Sequence, residues 1–101
     1  MPFGFIYRIS SPNYDKVYIG STINKYLSER KAKHTYDYKG YLKGTRHYRT
    51  SFEILKYENC IYDTLEKFEY TDVRELRQRE GQLIKESINC LNKYPQGLNI
   101  V

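Results

Sequence analysis

Two short apolar runs, Phe5-Ile6-Tyr7-Arg8-Ile9 and Val17-Tyr18-Ile19-Gly20, flank the polar stretch Ser10-Ser11-Pro12-Asn13-Tyr14-Asp15. Alternation in the first run, aromatic and β-branched residues in the second and turn-forming residues between them predict one β-hairpin. A hairpin sets residues of its two arms side by side, so Tyr7 and Tyr18 become neighbours. With 101 residues the chain suits one domain, residues 1–101, able to bury a core when a sheet is covered by helices. The predicted class is α/β of the α+β kind, a small antiparallel β-sheet flanked by helices.

Beyond the hairpin, Ser21, Thr22 or Asn24 can cap a helix in which Ile23, Leu27, Arg30 and His34 recur at steps of four, three and four and so share a face. Residues 39–49 are glycine-bearing, basic and rich in tyrosine without either period, which predicts a loop or short irregular helix. Residues 51–56 and 60–68, with a turn at 57–59, carry aromatic and β-branched residues in alternation and predict a second hairpin. Thr71-Asp72 reads as the N-cap of a helix whose apolar positions are Val73, Leu76, Leu83, Ile84 and Ile88. The tail from Asn89, with Pro95 and Gly97, is predicted to be extended.

Seventeen Lys and Arg against 12 Asp and Glu give a net charge of +5, which makes a polyanion the partner class to test, nucleic acid or an anionic surface. No stretch approaches the ~20 apolar residues of a membrane span, and the opening residues are too short an apolar run for a secretory signal. The expectation is an intracellular protein with no membrane partner. Cys60 and Cys90 lack C-x-x-C spacing and a companion His cluster, so two reduced, largely buried thiols are expected.

The sharpest anomaly is Glu80, seven after Val73, four after Leu76, three before Leu83 and four before Ile84, inside the apolar stripe. A carboxylate there is costly unless it is paired, with Arg77 or Arg30, or binds a cation. Arg30 and His34 repeat the anomaly on the first helix. A single inward His is ordinarily a satisfied core residue, but Arg30, His34, Glu80, Tyr7 and Tyr18 on one small sheet point to a common site.

In chain order, Tyr7 at the end of Phe5-Ile6-Tyr7, Tyr18 at the head of Tyr18-Ile19-Gly20, Arg30 with His34 four later, Glu80 on a later helix and then Asn92 resemble the motif residues of the GIY-YIG nucleases. Phe5 stands where the first signature has glycine, with Gly4 one place earlier, and the gap from Tyr18 to Arg30 is a couple of residues longer than usual. The likeness covers nearly the whole length, and the Leu76-to-Ile84 helix followed by Cys90-Leu91-Asn92-Lys93 is most similar to versions from large DNA viruses and mobile elements.

That resemblance implies phosphodiester cleavage of DNA with one divalent metal, Mg²⁺ or Mn²⁺, held by Glu80. It implies that Arg30 stabilises charge on the phosphoryl group, and either that Tyr7 activates water with Tyr18 orienting it or sharing the proton, or that His34 relays the proton while Tyr7 only hydrogen-bonds. Cationic neighbours are expected to favour the Tyr7 anion. Asn92 is assigned to a phosphate or an active-site partner, with Asn89 and Asn99 as competitors and a turn-capping role as the alternative. Lys31, Lys33, Lys39, Lys43, Arg46, His47 and Arg49, interleaved with tyrosines, are the expected contacts to the DNA backbone. Action as a monomer or homodimer, or alongside a recognition domain outside this chain, stays open. The expectation that ties these together is spatial: two phenols, a guanidinium and an acid gathered on one side of the sheet.

Overall fold

A computed structural model describes residues 2–57, 59–87 and 89–91. The predicted hairpin is present as β1 (Phe3–Ser11) and β2 (Tyr14–Thr22), paired antiparallel with Tyr7 opposite Gly20 and Ile9 opposite Tyr18. A third strand, β3 (Ile61–Glu69), pairs antiparallel with the other edge of β1, giving the order β2-β1-β3. Among the described residues three helices accompany the sheet: α1 (Leu27–Leu42), α2 (Phe52–Leu55) and α3 (Val73–Glu86). The fold is the expected α+β one, a small antiparallel sheet with helices.

As the central strand, β1 is buried from both sides, and Ile6, Tyr7 and Ile9 are each 0% exposed. Successive side chains of a strand point to opposite faces, so Ile6 belongs to one core and Tyr7 and Ile9 to another. Ile6 and Ile19 pack with Leu76 of α3 and Cys90. Tyr7 and Ile9 pack with Ile54 of α2 and Leu91, with Leu27 of α1, Tyr18 and Tyr62 beside them. Gly4 lies on the α3 face, where an added Cβ would run into the Leu76 side chain, so the missing side chain permits the close approach of α3.

Asp72 caps α3 as expected and does so through a complete capping box: its side chain accepts from the Arg74 backbone N–H, while Glu75 accepts from the Asp72 backbone N–H. Both cysteines are thiols, Cys90 buried and Cys60 partly so.

Three expectations are corrected. The second hairpin is absent: 52–55 is one helical turn, and the single strand β3 finds its partner in β1. In that turn Phe52 and Ile54 are both buried, which imitates strand alternation over so short a stretch. The first helix starts at Leu27 rather than after residues 21–24, because β2 runs on to Thr22 and the Thr22 hydroxyl instead bonds the Asn24 side chain and accepts from its backbone N–H. Ile23 accordingly lies off the helix and is 60% exposed. Finally, α1 continues to Leu42 through the stretch read as irregular, and Gly44, with φ of 86°, follows its end in the left-handed conformation that commonly stops a helix.

β3 is an edge strand, and its pairing with β1 slips by one residue between Ile6 and Tyr7, leaving Leu65 as the extra residue. Such a bulge blunts an edge that would otherwise invite a further strand. Among the described residues no helix is long and apolar enough to cross a membrane. Asn92 and Asn99 lie outside the described residues, as do Ile88 and the tail from 92.

Candidate active site

The hairpin register fixes the centre of the site. Tyr7, Ile9, Tyr18 and Gly20 share one sheet face, and the ring of Tyr7 reaches across to Gly20 so closely that a Cβ there would lie 2.5 Å from its hydroxyl oxygen. From α1, Arg30 Nε donates to the Tyr7 hydroxyl at 3.1 Å, and that hydroxyl lies 2.7 Å from His34 Nε2. A guanidinium only donates, so the phenol oxygen accepts from Arg30 and its proton is available to His34 in the tautomer that leaves Nε2 bare. One turn of α1 separates Arg30 from His34, which is why both meet the same phenol. His34 also lies edge-on to the rings of Tyr7 and Tyr18, centroids 5.8 Å away in each case.

Burial sets the protonation of this cluster. It pushes the Tyr7 phenol above its ordinary value of 10.0, an effect that exceeds the opposing pull of Arg30. Tyr18 is pushed up more strongly, by burial first and then by Tyr7 and Glu80. The expectation that cations would favour the Tyr7 anion is therefore not met: desolvation disfavours the charged form by more than one guanidinium restores. His34 is pushed down to about 4, by burial first and then by the charge of Arg30. At neutral pH the imidazole and both phenols are uncharged.

Tyr7 is also completely enclosed. An enclosed hydroxyl bonded on two sides is placed to hold Arg30 and His34 rather than to meet a water molecule. Tyr18 as a residue is only partly buried, but its hydroxyl is desolvated more strongly than that of Tyr7.

Glu80 approaches from the other direction. α3 packs on the face that carries Ile6 and Ile19, and Ser21, which alternates onto that face, donates its hydroxyl to Glu80 Oε1. Acid and phenols thus do not share one face as expected; they flank the edge strand β2 from its two sides at Gly20-Ser21. The separation is small enough that the Glu80 charge raises both Tyr7 and Tyr18. Ser21 and Arg30 line a single cleft of about 260 Å³ at the end of β2, so the residue that holds the acid and the guanidinium tied to the phenol face one opening.

Among the described residues no group of three or more His, Cys, Asp or Glu could hold a metal ion. A lone carboxylate still suits Mg²⁺ or Mn²⁺, hard cations that keep several waters and take further oxygens from a phosphate substrate. Glu80, with one oxygen fixed by Ser21, is the residue that would provide it.

Sequence reasoning missed two participants. The sequence pattern offers Ser21 only as a helix cap, whereas its hydroxyl bond to Glu80 depends on β2 continuing through it. Tyr62 of β3 stacks on Tyr7, with centroids 6.3 Å apart, and lies 6.1 Å from the His34 ring. Its pairing opposite Ile9, which puts it on the tyrosine face, was hidden by assigning its strand to a second hairpin.

The expected DNA contacts divide. Lys33 and Arg46 both pair with the buried Asp37, at 3.3 and 3.8 Å; the first pair lies within α1, while Arg46, also over the Tyr36 ring, ties the chain after α1 back to the helix. Lys31 lies over the Tyr62 ring at 5.5 Å. Lys39, Lys43, His47 and Arg49 are exposed, and the charge of Arg49 is felt by His34. Asn89 is occupied structurally: its side chain donates to the Asp15 carbonyl at 2.6 Å and its own carbonyl accepts from Val17 N–H at 3.0 Å.

Comparison with protein-family models, with curated proteins and with solved structures finds no match to this chain.

Proposed function

We propose that this chain is a DNA endonuclease of the GIY-YIG kind, hydrolysing phosphodiester bonds with one divalent metal, Mg²⁺ or Mn²⁺. The observation that carries the reading is the cleft at the end of β2, where Arg30 faces the serine that holds Glu80. A permanent cation lining an opening whose lining serine anchors an acid behind it suits a phosphate diester bound beside a metal ion. The basic, tyrosine-bearing surface after α1 supports a nucleic-acid partner.

When bound, the metal would polarise the phosphate and lower the pKa of coordinated water. The protein groups divide the remaining work. Glu80 holds the ion, and Ser21 fixes the carboxylate so that its second oxygen is presented. Arg30, its Nε anchored on Tyr7 and its side chain lining the cleft, neutralises charge developing on the phosphoryl oxygens. Tyr7 and His34 position Arg30: the phenol accepts from it, and the imidazole fixes the phenol. Tyr18, protonated at neutral pH, donates to a water or a phosphoryl oxygen.

Incubation with supercoiled plasmid and Mg²⁺ or Mn²⁺ tests the assignment. Nicking is expected, with Glu80→Ala lowering the rate by about 10²–10³-fold. No nicking across duplex, branched and single-stranded DNA, or undiminished nicking by Glu80→Ala, would overturn it. The exposed cations also fit a second reading, a non-catalytic nucleic-acid-binding module, which predicts salt-sensitive binding with no cleavage.

A further inference from the structure

The cleft at the end of β2 is larger and differently built than a seat for one phosphoryl group requires. Its volume is about 260 Å³, more than an inorganic phosphate fills. Arg30 of α1 stands on one wall and Arg77 of α3 on another, with Ser21 and Asn24 as further polar groups. Among the described residues no carboxylate lines it. Arg77 is exposed and makes no ion pair among the described residues, whereas Arg8, Arg46, Arg74 and Arg79 each have an acidic partner.

Two guanidiniums lining one opening repel each other unless an anion lies between them, so the pair creates a local positive field. The lining is also amphipathic, for Ile23 and Val73 add apolar surface and are 60% and 36% exposed. An isolated exposed isoleucine needs no explanation. Beside two cations in a concave site it offers what the sugar of a nucleotide covers.

We propose that Arg77 forms a second anion subsite, binding the phosphate adjacent to the one that is cut, while Ile23 and Val73 carry the sugar between them. The inference rests on the nuclease reading and adds to it: the enzyme grips two successive phosphates of one strand, the first from α1 and the second from α3. Arg77 is one helical turn before Glu80, so the residue that holds the neighbouring phosphate and the residue that holds the ion move as one rigid piece.

Thymidine 3′,5′-bisphosphate and thymidine 5′-monophosphate, titrated without metal and followed by amide chemical shifts, separate this proposal from the nuclease reading. The wild type is expected to bind the bisphosphate about tenfold more tightly than the monophosphate, as one charge-assisted contact allows. Arg77→Gln, an exposed substitution that spares the core, should bring that ratio close to one, and Arg77→Lys should retain part of it. In oligonucleotide cleavage the Arg77→Gln loss should fall on KM rather than kcat. Equal binding of the two nucleotides by the wild type, or a bisphosphate preference that survives Arg77→Gln, would overturn the subsite even if plasmid is nicked. An Arg77-dependent preference in a protein that never nicks DNA would retain the subsite and remove the nuclease.

Discussion

Gly20→Ala will break the site from within, at a residue that carries no chemistry of its own. A Cβ at this position would lie 2.5 Å from the Tyr7 hydroxyl oxygen, 2.7 Å from Tyr7 Cζ and 3.0 Å from Tyr18 Cε1. Tyr7 is enclosed and cannot swing aside, so either its ring or β2 must shift. Overpacking of this kind costs about 1–3 kcal/mol, measurable by urea unfolding. The shift also displaces the acceptor that orients Arg30, and a misplacement of that order lowers catalysis by about 10²-fold. In a Tyr7→Phe background the nearest clashing atom is gone, so part of the stability loss should disappear, a coupling that a double-mutant cycle reads directly. Gly81→Ala is the contrasting control. Nothing lies within 4 Å of a Cβ there, and alanine within α3 gains about 0.5–1 kcal/mol from helix propensity. Equal effects at positions 20 and 81 would contradict the packing described here.

The second large effect is on stability in acid. His34 titrates near 4 in the folded protein, against an ordinary 6.5, because burial and then Arg30 disfavour its charged form. Between those two values the unfolded chain binds a proton that the folded chain does not, so stability increases with pH across the window. Its contribution is complete above about 6.5 and is lost progressively as pH falls toward about 4. The loss is on the order of 3 kcal/mol, at ~1.4 kcal/mol per pKa unit. Urea unfolding from pH 7 to 4 should show this decline, and His34→Gln should flatten it over that interval. A wild-type decline reproduced in His34→Gln would assign the acid sensitivity to carboxylates instead.

The parts of the fold legible in the sequence were those whose signal was local and long enough. β1 carries an alternating run from Phe5 to Ile9, β2 aromatic and β-branched residues from Val17 to Ile19, with turn-forming residues between them, and α3 announces itself by Asp72, Glu75 and an apolar stripe. α2 was not legible because a four-residue turn burying Phe52 and Ile54 has the spacing of a strand. The cap at residues 21–24 failed because Ile23, Leu27, Arg30 and His34 fit helical spacing by coincidence at the first position.

At the site, the links among Tyr7, Arg30 and His34 follow from the strand pair and one turn of α1, and the sequence indicates them. The side from which Glu80 arrives depends on which face α3 covers. That choice is made by Gly4, Leu76 and Ile19 packing together, and no local pattern encodes it. Ser21 and Arg77 were visible residues whose importance appears only when β2 and α3 are set side by side.

The proposed function requires an ion held by Glu80 to lie close to the Tyr7–Arg30–His34 cluster and Tyr18, although acid and phenols flank β2 from opposite sides. Titration of Mn²⁺ into the protein, followed by paramagnetic broadening of the ring resonances of Tyr7, Tyr18 and His34, tests this most directly. All three are expected to broaden in the wild type, and Glu80→Gln is expected to abolish the effect. Broadening confined to the outer surface of α3, or ring signals that stay sharp while Glu80 binds the ion, would contradict this requirement.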